Sequence, residues 1–357
     1  MIKPSLYDYT LKELQQLIKP SFRAKQIYGW MYHHYIDDYT NMKNIPKALQ
    51  EELNTKYIIN PLSIIKKEIS SDGTIKYLLE LQDGKTMEAV WLKMKDDQYN
   101  EDGEIIQEAK YTICVSTQVG CKVGCAFCLT AKGGFTRDLT AGEIVAQVVA
   151  LKKDNEHKHN RKINIVYMGM GEPLDNLDNL SKAIEVFQEL DGLAISGKRQ
   201  TVSTSGLSSK IDKLGAMDLG VHIAISLHAV DDELRTELIP MNKAHNIQSI
   251  IDAVKRFPID TRKRVMFEYL VIKNKNDDLT SAKKLVKLLH GIKAKVNLIY
   301  FNPYPGSVYD RPTREDMVSF QEYLVKHGLL CTIRDSKGID ISAACGQLKE
   351  KENKKDI

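Results

Sequence analysis

The sequence predicts an α/β protein built on a parallel sheet with outer helices, preceded by a small helical region and a short antiparallel β extension. Three observations support this. Apolar strand-like runs alternate with helix-like segments from residue 111 onward, a hairpin signal precedes them, and the first 60 residues have helical patterning. Six such β-then-α units are compatible with an open or partial barrel and with a doubly wound sheet.

Residues 1–60 are predicted to form a small helical domain. Helices are expected over residues 11–18 and 21–35, and a third from Ile45, with Pro46 in its first turn. The second helix interleaves aromatic with basic side chains, a mixture suited to stacking on and pairing with nucleic acid. An amphipathic helix packed on a core explains the same pattern.

A β extension and linker are predicted for residues 61–106. Residues 63–70 and 74–81 have the pattern of a hairpin across an Asp-Gly turn, and a third strand is expected over residues 86–94. Residues 95–110 are charged and rich in turn formers, so we predict a linker or surface loop there.

We assign the alternating strands and helices to one domain over residues 107–348, followed by a charged tail over 349–357. Its first helix has a capping box, Thr140 with Glu143, ahead of an apolar run. A final strand is expected over residues 329–333. The strands of the six units are expected over residues 111–117, 163–168, 201–204, 221–226, 265–272 and 296–301.

Composition is typical of a cytoplasmic globular protein. With 357 residues the chain can bury a sizeable core, and no apolar stretch approaches the roughly 20 residues of a membrane span. The first residues carry charges where a signal peptide has an apolar run. The net charge of +4 permits binding to a polyanion but does not require it. Six cysteines in a chain of this size do not indicate a disulfide scaffold, and in a reducing compartment they more often ligate metal or do chemistry.

Three cysteines, Cys121, Cys125 and Cys128, form a CxxxCxxC pattern in the loop after the first strand of the main domain. A structural zinc site and a fully ligated [4Fe-4S] cluster would each use four ligands. Three thiolates on a cubane leave one iron open for a substrate, as catalytic metal sites keep a free position. For the motif taken alone, a zinc site completed by a distant Cys or His is the alternative.

Polar and glycine-rich segments follow four of the other strands. Because strand ends in a parallel β/α barrel gather at one rim, we expect these segments to meet the cysteine loop. A glycine-rich turn lets backbone approach a ligand closely, and Glu172 beside it can accept a hydrogen bond from an ammonium group. The segments are Gly169-Met170-Gly171-Glu172-Pro173, Ser203-Thr204-Ser205-Gly206, Ser226-Leu227-His228 and Asn302-Pro303.

Together these motifs resemble those of the radical S-adenosylmethionine RNA methyltransferases. The resemblance is carried by CxxxCxxC, GMGEP, STSG, SLHA and AACGQL, and it spans residues 111–348. It is strongest to the dual-specificity enzymes, which methylate C2 of an adenosine in large-subunit (23S) ribosomal RNA and of an adenosine next to the anticodon in tRNA. Pro173 and Ser205 resemble this group more than the related antibiotic-resistance enzymes that methylate C8. The resemblance implies a partial (β/α)6 barrel.

Two cofactors are implied by the resemblance. A [4Fe-4S] cluster would be held by Cys121, Cys125 and Cys128, and its open iron would chelate S-adenosylmethionine. A radical route is implied because the carbon between two adenine nitrogens is electron-poor and cannot attack an electrophilic methyl group. The positions that match the lining of S-adenosylmethionine are Gly171, Glu172, Ser203, Ser226, Leu227, His228 and Asn302.

Two further cysteines and a glutamate match catalytic positions of the family. Cys345 is implied to take a methyl group from one S-adenosylmethionine, while a second molecule yields a radical that abstracts hydrogen from that methyl group. Cys114 is implied to break the resulting link between RNA and Cys345 by forming a disulfide. Glu88 matches the proposed proton acceptor. Cys331 matches no functional position and is expected in the core.

The resemblance also implies 23S rRNA and tRNA as partners, an electron donor such as flavodoxin or ferredoxin, no membrane partner and a monomeric chain. Two other interpretations stay open. One is a radical S-adenosylmethionine enzyme acting on a protein or small molecule, against which the AACGQL motif argues. The other is a zinc-stabilised RNA-binding module without catalysis.

Overall fold

The computed structural model describes residues 2–260, 263–304 and 306–348, and its secondary structure alternates as predicted. The α-helices in these ranges are α1 (Leu11–Leu17), α2 (Phe22–His33), α3 (Lys47–Lys56), α4 (Leu129–Lys132), α5 (Ala141–Asp154), α6 (Leu177–Gln188), α7 (Ser208–Ala216), α8 (Asp232–Leu238), α9 (Ile247–Arg256), α10 (Leu279–Leu288) and α11 (Arg314–Lys326). The strands are β1 (Leu62–Ile69), β2 (Ile75–Leu81), β3 (Thr86–Lys95), β4 (Gln98–Tyr99), β5 (Ile105–Gln107), β6 (Lys110–Cys114), β7 (Gln118–Gly120), β8 (Phe135–Asp138), β9 (Ile163–Tyr167), β10 (Gln200–Thr204), β11 (His222–Ser226), β12 (Val265–Val271), β13 (Ala294–Tyr300) and β14 (Leu330–Arg334).

One large sheet organises the described chain, in the order β1-β2-β3-β6-β9-β10-β11-β12-β13-β14. From β6 to β14 every neighbouring pair is parallel, and β1 to β3 add antiparallel strands on the other side of β6. The parallel strands lie in the same order as in the sequence, whereas a doubly wound sheet reverses its order at a switch point. The predicted α/β class with a partial barrel is therefore confirmed, and the β extension belongs to the same sheet.

Three local details differ from the sequence predictions. Helix α3 begins at Lys47, and Pro46 is its N-cap rather than part of the first turn. The predicted linker contains a hairpin of β4 and β5, which forms because the Asn100 side chain accepts the Glu104 N–H and Gly103 adopts a left-handed conformation. Strands β7 and β8, which were not predicted, pair on either side of the cysteine loop.

The amino-terminal helical region packs against α5. The capping box predicted for α5 is present, and Asp8 also accepts a hydrogen bond from the Gly142 N–H in its first turn, at 2.6 Å. In α2, the aromatic side chains of Tyr28 and Tyr32 are buried in the core. Packing therefore accounts for part of the aromatic pattern of this helix. Among the described helices, none has the length and apolar character needed to cross a bilayer.

Candidate active site

A cavity of about 810 Å³ lies along the inside of the parallel strands. Its wall combines the cysteine loop, several strand ends and the chain that follows β14. Most of the site residues predicted from the sequence line it, although the first and the last of them are more than two hundred positions apart in the chain. They are Cys114, Cys121, Cys125, Cys128, Gly171, Glu172, Ser203, Ser226, His228, Asn302 and Cys345.

Backbone hydrogen bonds hold the cysteine loop in place. The Cys121 N–H donates to the Gly134 carbonyl at 2.7 Å, and the Cys128 N–H closes a turn on the Cys125 carbonyl at 3.1 Å. Gly120 adopts a left-handed conformation, and a Cβ there would lie 2.1 Å from the Gly134 oxygen, so only glycine fits. The loop therefore presents its three thiols to the cavity from a fixed backbone.

Two of these thiols, those of Cys121 and Cys125, lie in surroundings that disfavour a negative charge without a metal. Burial raises the pKa of Cys121 to about 12, and burial together with the neighbouring thiols raises the pKa of Cys125 well above its ordinary value. Iron reverses this preference because it binds the thiolate form. Across the described residues, no three His, Cys, Asp or Glu side chains lie as a ready group around one metal ion. A cubane takes one thiolate on each ligated iron, so three soft sulfur donors need not surround a single point in order to hold it.

A buried arginine that the sequence analysis did not select ties neighbouring strand ends together. Arg235, on α8, donates to the backbone carbonyls of Ser205 at 2.5 Å, Leu227 at 3.1 Å and Ser226 at 3.2 Å. Burial lowers its pKa to about 10, so it remains charged at neutral pH, and this charge favours the ionised form of Cys125. Sequence alone could not separate Arg235 from the solvated arginines, because its burial depends on contacts distant in the chain.

Glu172 is held in a single orientation by backbone amides. Its two carboxylate oxygens accept from the Ser205 N–H at 2.6 Å and from the Leu174 N–H at 3.1 Å. Burial raises the pKa of this carboxyl group, and these hydrogen bonds act in the opposite direction. Beside it, Gly171 has φ of +104°, and a Cβ would lie 2.6 Å from the Gln118 Cβ. The close turn inferred from the glycine-rich motif is present.

His228 has the properties of a neutral group. Its Nδ1 accepts the Leu270 N–H at 3.0 Å, which places the proton on Nε2. Burial lowers the pKa of His228 to about 3, so the ring does not serve as a base at neutral pH. Ser203 donates to the Tyr167 carbonyl at 2.6 Å. Leu227 is fully buried and does not line the cavity, so only its backbone can contribute to the site.

Three buried polar atoms of the cavity wall have no hydrogen-bond partner within the described chain: Asn302 Nδ2, Ser205 Oγ and the carboxylate oxygen Glu268 Oε2. Asn302 is held from its other end, since its Oδ1 accepts from Arg311 at 2.6 Å and from Ser336 at 2.9 Å. Buried polar atoms of this kind are normally satisfied, so the wall is built to hydrogen-bond a ligand. This fits the polar groups of S-adenosylmethionine.

The two remaining predicted cysteines of the site meet in the same cavity. The Cys345 thiol is accessible within the cavity but enclosed by protein, and burial raises its pKa. Cys114, at the end of β6, is buried; burial and the nearby Cys345 thiol both raise its pKa. All six cysteines are free thiols, so the disulfide implied by the resemblance is not formed in this structure. Cys331 is buried in β14, as expected for a core residue.

We name residues 335–348 the C-terminal segment; it carries Cys345 into the cavity. At its start, the Gly338 N–H donates to the Asp72 carboxylate in the β1–β2 turn at 3.0 Å. At its end, the Leu129 N–H of α4 donates to the Gly346 carbonyl at 2.7 Å. The segment therefore connects the β extension with the cysteine loop.

Two buried glutamates differ in their access to the cavity. Glu88 forms an ion pair with Lys76 at 3.4 Å and is not part of the cavity wall, although Val90 on the same strand is. Glu268, which the sequence analysis missed, lines the cavity; its Oε1 accepts from Asn297 at 2.7 Å and its Oε2 has no partner among the described residues. Burial raises the pKa of Glu268. It is buried beside strand residues of ordinary appearance, so no motif could have identified it.

Comparisons with known proteins agree with this geometry. Residues 115–285 match the Radical SAM superfamily, and residues 5–59 match the ribosomal RNA large subunit methyltransferase N-terminal domain. A dual-specificity RNA methyltransferase RlmN of Sulfurimonas denitrificans is 82% identical over 350 residues, which cover 98% of each chain. The chain belongs to the dual-specificity RNA methyltransferase family. Another member, from Aliarcobacter butzleri, is 66% identical over 349 residues, covering 98% of this chain and 97% of the relative.

A solved structure supports the same family. The crystal structure of a radical SAM methyltransferase from Sphaerobacter thermophilus has a TM-score of 0.88 and 41% identity, and the match covers 97% of this chain and 99% of that chain. This chain is thus a radical SAM enzyme that uses a [4Fe-4S] cluster and S-adenosylmethionine. The alternatives of a zinc-stabilised module without catalysis and of a C8-specific enzyme are not supported by these relatives.

Proposed function

We propose that this enzyme methylates C2 of an adenosine in 23S rRNA and of an adenosine next to the anticodon in tRNA. One observation carries the proposal: Cys345 is brought on its own segment into the cavity that also contains the three-cysteine loop and the strand ends matching the cofactor positions. A carrier thiol beside the cofactor is the arrangement that methyl relay to an electron-poor carbon requires.

The cofactor positions are proposed residue by residue. Cys121, Cys125 and Cys128 hold the cluster, which supplies, when bound, the electron that splits S-adenosylmethionine into methionine and a 5′-deoxyadenosyl radical. The amide-held Glu172 and the unpartnered Asn302 Nδ2 support a site for a ligand with both ammonium and acceptor groups. Gly171, Ser203, Ser226, Leu227 and His228 complete this site.

Cys345 is proposed as the methyl carrier. Its thiolate takes the methyl group of one S-adenosylmethionine, with S-adenosylhomocysteine as leaving group. The Cys345 thioether then loses a hydrogen atom to the radical from a second molecule, and its carbon adds to C2 of the adenine. The ring radical formed in this way would return one electron to the oxidised cluster, after which the C2 proton leaves. Because burial raises the pKa of Cys345, removal of the thiol proton must accompany methyl transfer.

Cys114 is proposed to release the product. Its sulfur attacks the Cys345 sulfur, a disulfide forms between them, and the released carbon takes up a proton to become the methyl group. The Cys345 thiol raises the pKa of Cys114, which supports the proximity of the two thiols. Glu88, matched to the proton acceptor, is proposed to receive the C2 proton; it forms an ion pair with Lys76.

The electron donor and the oligomeric state also follow from the family resemblance. We infer a small acidic electron carrier, flavodoxin or ferredoxin, as reductant, and a monomer as the active form. The radical chemistry needs electrons one at a time, which such a carrier supplies.

Nucleoside mass spectrometry tests the proposal. Ribosomal RNA and tRNA from cells with and without the gene would be digested to nucleosides and compared. We expect 2-methyladenosine to be lost from both RNAs when the gene is deleted, and to return when the wild-type gene, but not its Cys345→Ala form, is restored. Unchanged 2-methyladenosine with loss of 8-methyladenosine would contradict the proposed C2 specificity.

A further inference from the structure

We infer that RNA binds at the end of the barrel where the parallel strands begin, with its phosphates on Lys198, Arg199, Arg264 and Lys295, and that the target adenosine enters the cavity from there. We call these four side chains the strand-start rim. The inference rests on the proposed function, because it concerns how the RNA substrate reaches Cys345.

The rim is a structural feature of the cavity. Lys198 and Arg199 lie directly before β10, Arg264 directly before β12, and Lys295 is the second residue of β13. All four line the same cavity as Cys345. Lys198 and Arg264 are exposed, and the other two are half-buried. The cavity therefore has a second end, opposite the strand ends that hold the proposed cofactor residues.

The rim carries positive charge that protein carboxylates offset only in part, through the effect of Lys295 on the nearby Glu268. Within the described ranges, no carboxylate forms a salt bridge with any of its four side chains. An adjoining groove shares Lys198 and Arg264 and adds Lys263, but it also contains two carboxylates, Asp218 and Asp260. Charge thus favours the rim itself, rather than the groove, as the position of the RNA phosphates.

The cavity between the rim and Cys345 is suited to a base. Val166 and Met266 contribute apolar side chains to its wall, which a purine face can pack against. Enzymes that modify a base take its nucleotide out of the stack and bind the base in a pocket. Phosphates on the rim would leave the base directed into the cavity.

The position of the rim argues against an electron-donor site. Strand β13 has seven residues, and at about 3.3 Å per residue the parallel strands separate the rim from the cysteine-loop end by roughly 20 Å. An electron carrier needs to approach the cluster, which belongs at the cysteine-loop end. RNA does not need to approach the cluster, because only its target base has to reach the interior of the cavity.

The test compares Lys198→Glu/Arg264→Glu with the control Lys283→Glu/Lys287→Glu, which makes the same charge change at exposed positions of α10. Holoenzyme would be assayed for affinity to an unmodified tRNA transcript across a salt series, for iron content, and for the methyl group on Cys345 by peptide mass spectrometry. We expect the rim variant to bind the transcript about tenfold or more weakly, and its salt slope to fall by about 1.4 for two lost single-strand contacts. Iron content and Cys345 methylation should equal those of wild type, and the control should bind normally.

Lys198→Gln/Arg264→Gln provides a milder second variant in case charge reversal impairs folding, and it should shift affinity and slope in the same direction. Normal affinity and slope in this variant, with iron and Cys345 methylation intact, would overturn the inference. The inference would also be overturned if the rim variant lost turnover with a protein reductant but regained it with dithionite, because that outcome places the electron donor at the rim. An unmethylated Cys345 in wild type would instead contradict the proposed function, while the tRNA affinities would still decide the role of the rim.

Discussion

At the scale of single residues, the cysteine loop offers the most direct test of cofactor binding. We expect Cys121→Ala, Cys125→Ala and Cys128→Ala each to lose the cluster, because two thiolates do not retain a cubane in water. Iron and sulfide content and the visible absorption of anaerobically purified protein measure this loss. Cys331→Ala is the matched control; its side chain is buried in β14, so it should cost about 1 kcal/mol of stability and keep its iron.

Full iron content together with turnover in any of the three loop variants would contradict the ligand assignment. Loss of iron in Cys331→Ala would show that iron content follows general stability rather than ligation.

The division of roles between Cys345 and Cys114 gives a second prediction. If Cys114 acts only in release, Cys114→Ala should still load the methyl group and attach Cys345 to the adenine, and should then stall. The expected product is protein joined to RNA through a one-carbon bridge, stable to denaturant and absent from Cys114→Ala/Cys345→Ala. Ribonuclease digestion followed by peptide mass spectrometry detects it.

Normal turnover by Cys114→Ala, or a nucleotide attached to a residue other than Cys345, would contradict this order of steps. Burial raises the pKa of Cys114, and such a thiol is a poor nucleophile unless the reaction first removes its proton. Cys114 is therefore expected to act late in the reaction, in the release step.

At the scale of elements, the C-terminal segment is held by carboxylates of its own and of the β1–β2 turn. Asp340 accepts from the Ser70 hydroxyl at 2.6 Å and Asp72 accepts from the Gly338 N–H. We expect Asp72→Asn/Asp340→Asn to weaken this attachment, so amide hydrogen exchange in residues 336–348 should accelerate and methylation of Cys345 should slow. Asp102→Asn, an exposed carboxylate in the β4–β5 turn, is the control.

The same attachment should depend on pH. Partial burial alone would raise the pKa of Asp72, but hydrogen bonds from Thr74, Gly338 and Ser70 prevail and lower it from 3.8 to about 2. A carboxyl group whose pKa is lowered by folding stabilises the folded state at pH values above its ordinary pKa. This contribution is lost as the pH falls from about 4 toward 2. Equal exchange protection of the segment in wild type and variant at neutral pH would contradict the role given to these carboxylates.

Sequence patterns located most elements but not the shortest ones. The long apolar runs of β12 and β13 and the capping box of α5 gave strands and a helix within a few residues of their bounds. Strands β7 and β8 have three and four residues, too few to show an alternating pattern. Yet their pairing holds the cysteine loop, so an element without a sequence signal positions the main motif of the site.

At the scale of the whole molecule, the amino-terminal helical region shares one core with the barrel. Tyr28 of α2 lies in the same hydrophobic cluster as α5 and α6 residues, and Glu13 pairs with Lys182 on α6. The predicted role of residues 1–60 in RNA binding stays a prediction, for which exposed Phe22 with the Arg23 guanidinium over its ring is a suitable surface. Any such surface would be held rigidly relative to the strand-start rim.

The sequence by itself determined the chemistry of this protein. The cysteine spacing, the glycine-rich and polar strand ends and the AACGQL motif lie within short stretches, where residue type and spacing are sufficient to indicate a cofactor. The site residues predicted from the sequence line the cavity, with the exception of Leu227 and Glu88, whose side chains lie outside its wall.

Only the tertiary structure decided which charges surround that chemistry. Arg235, Glu268 and the strand-start rim come from separate strands and helices, and each looks in the sequence like an ordinary surface charge. Residues distant in the chain decide whether a charged side chain is buried, paired or directed into a cavity. The electrostatic free energy of that side chain depends on those neighbours more than on its own residue type. For that reason the motifs predicted the cofactors, while the arginine behind the strand ends and the basic end of the cavity appeared only in the fold.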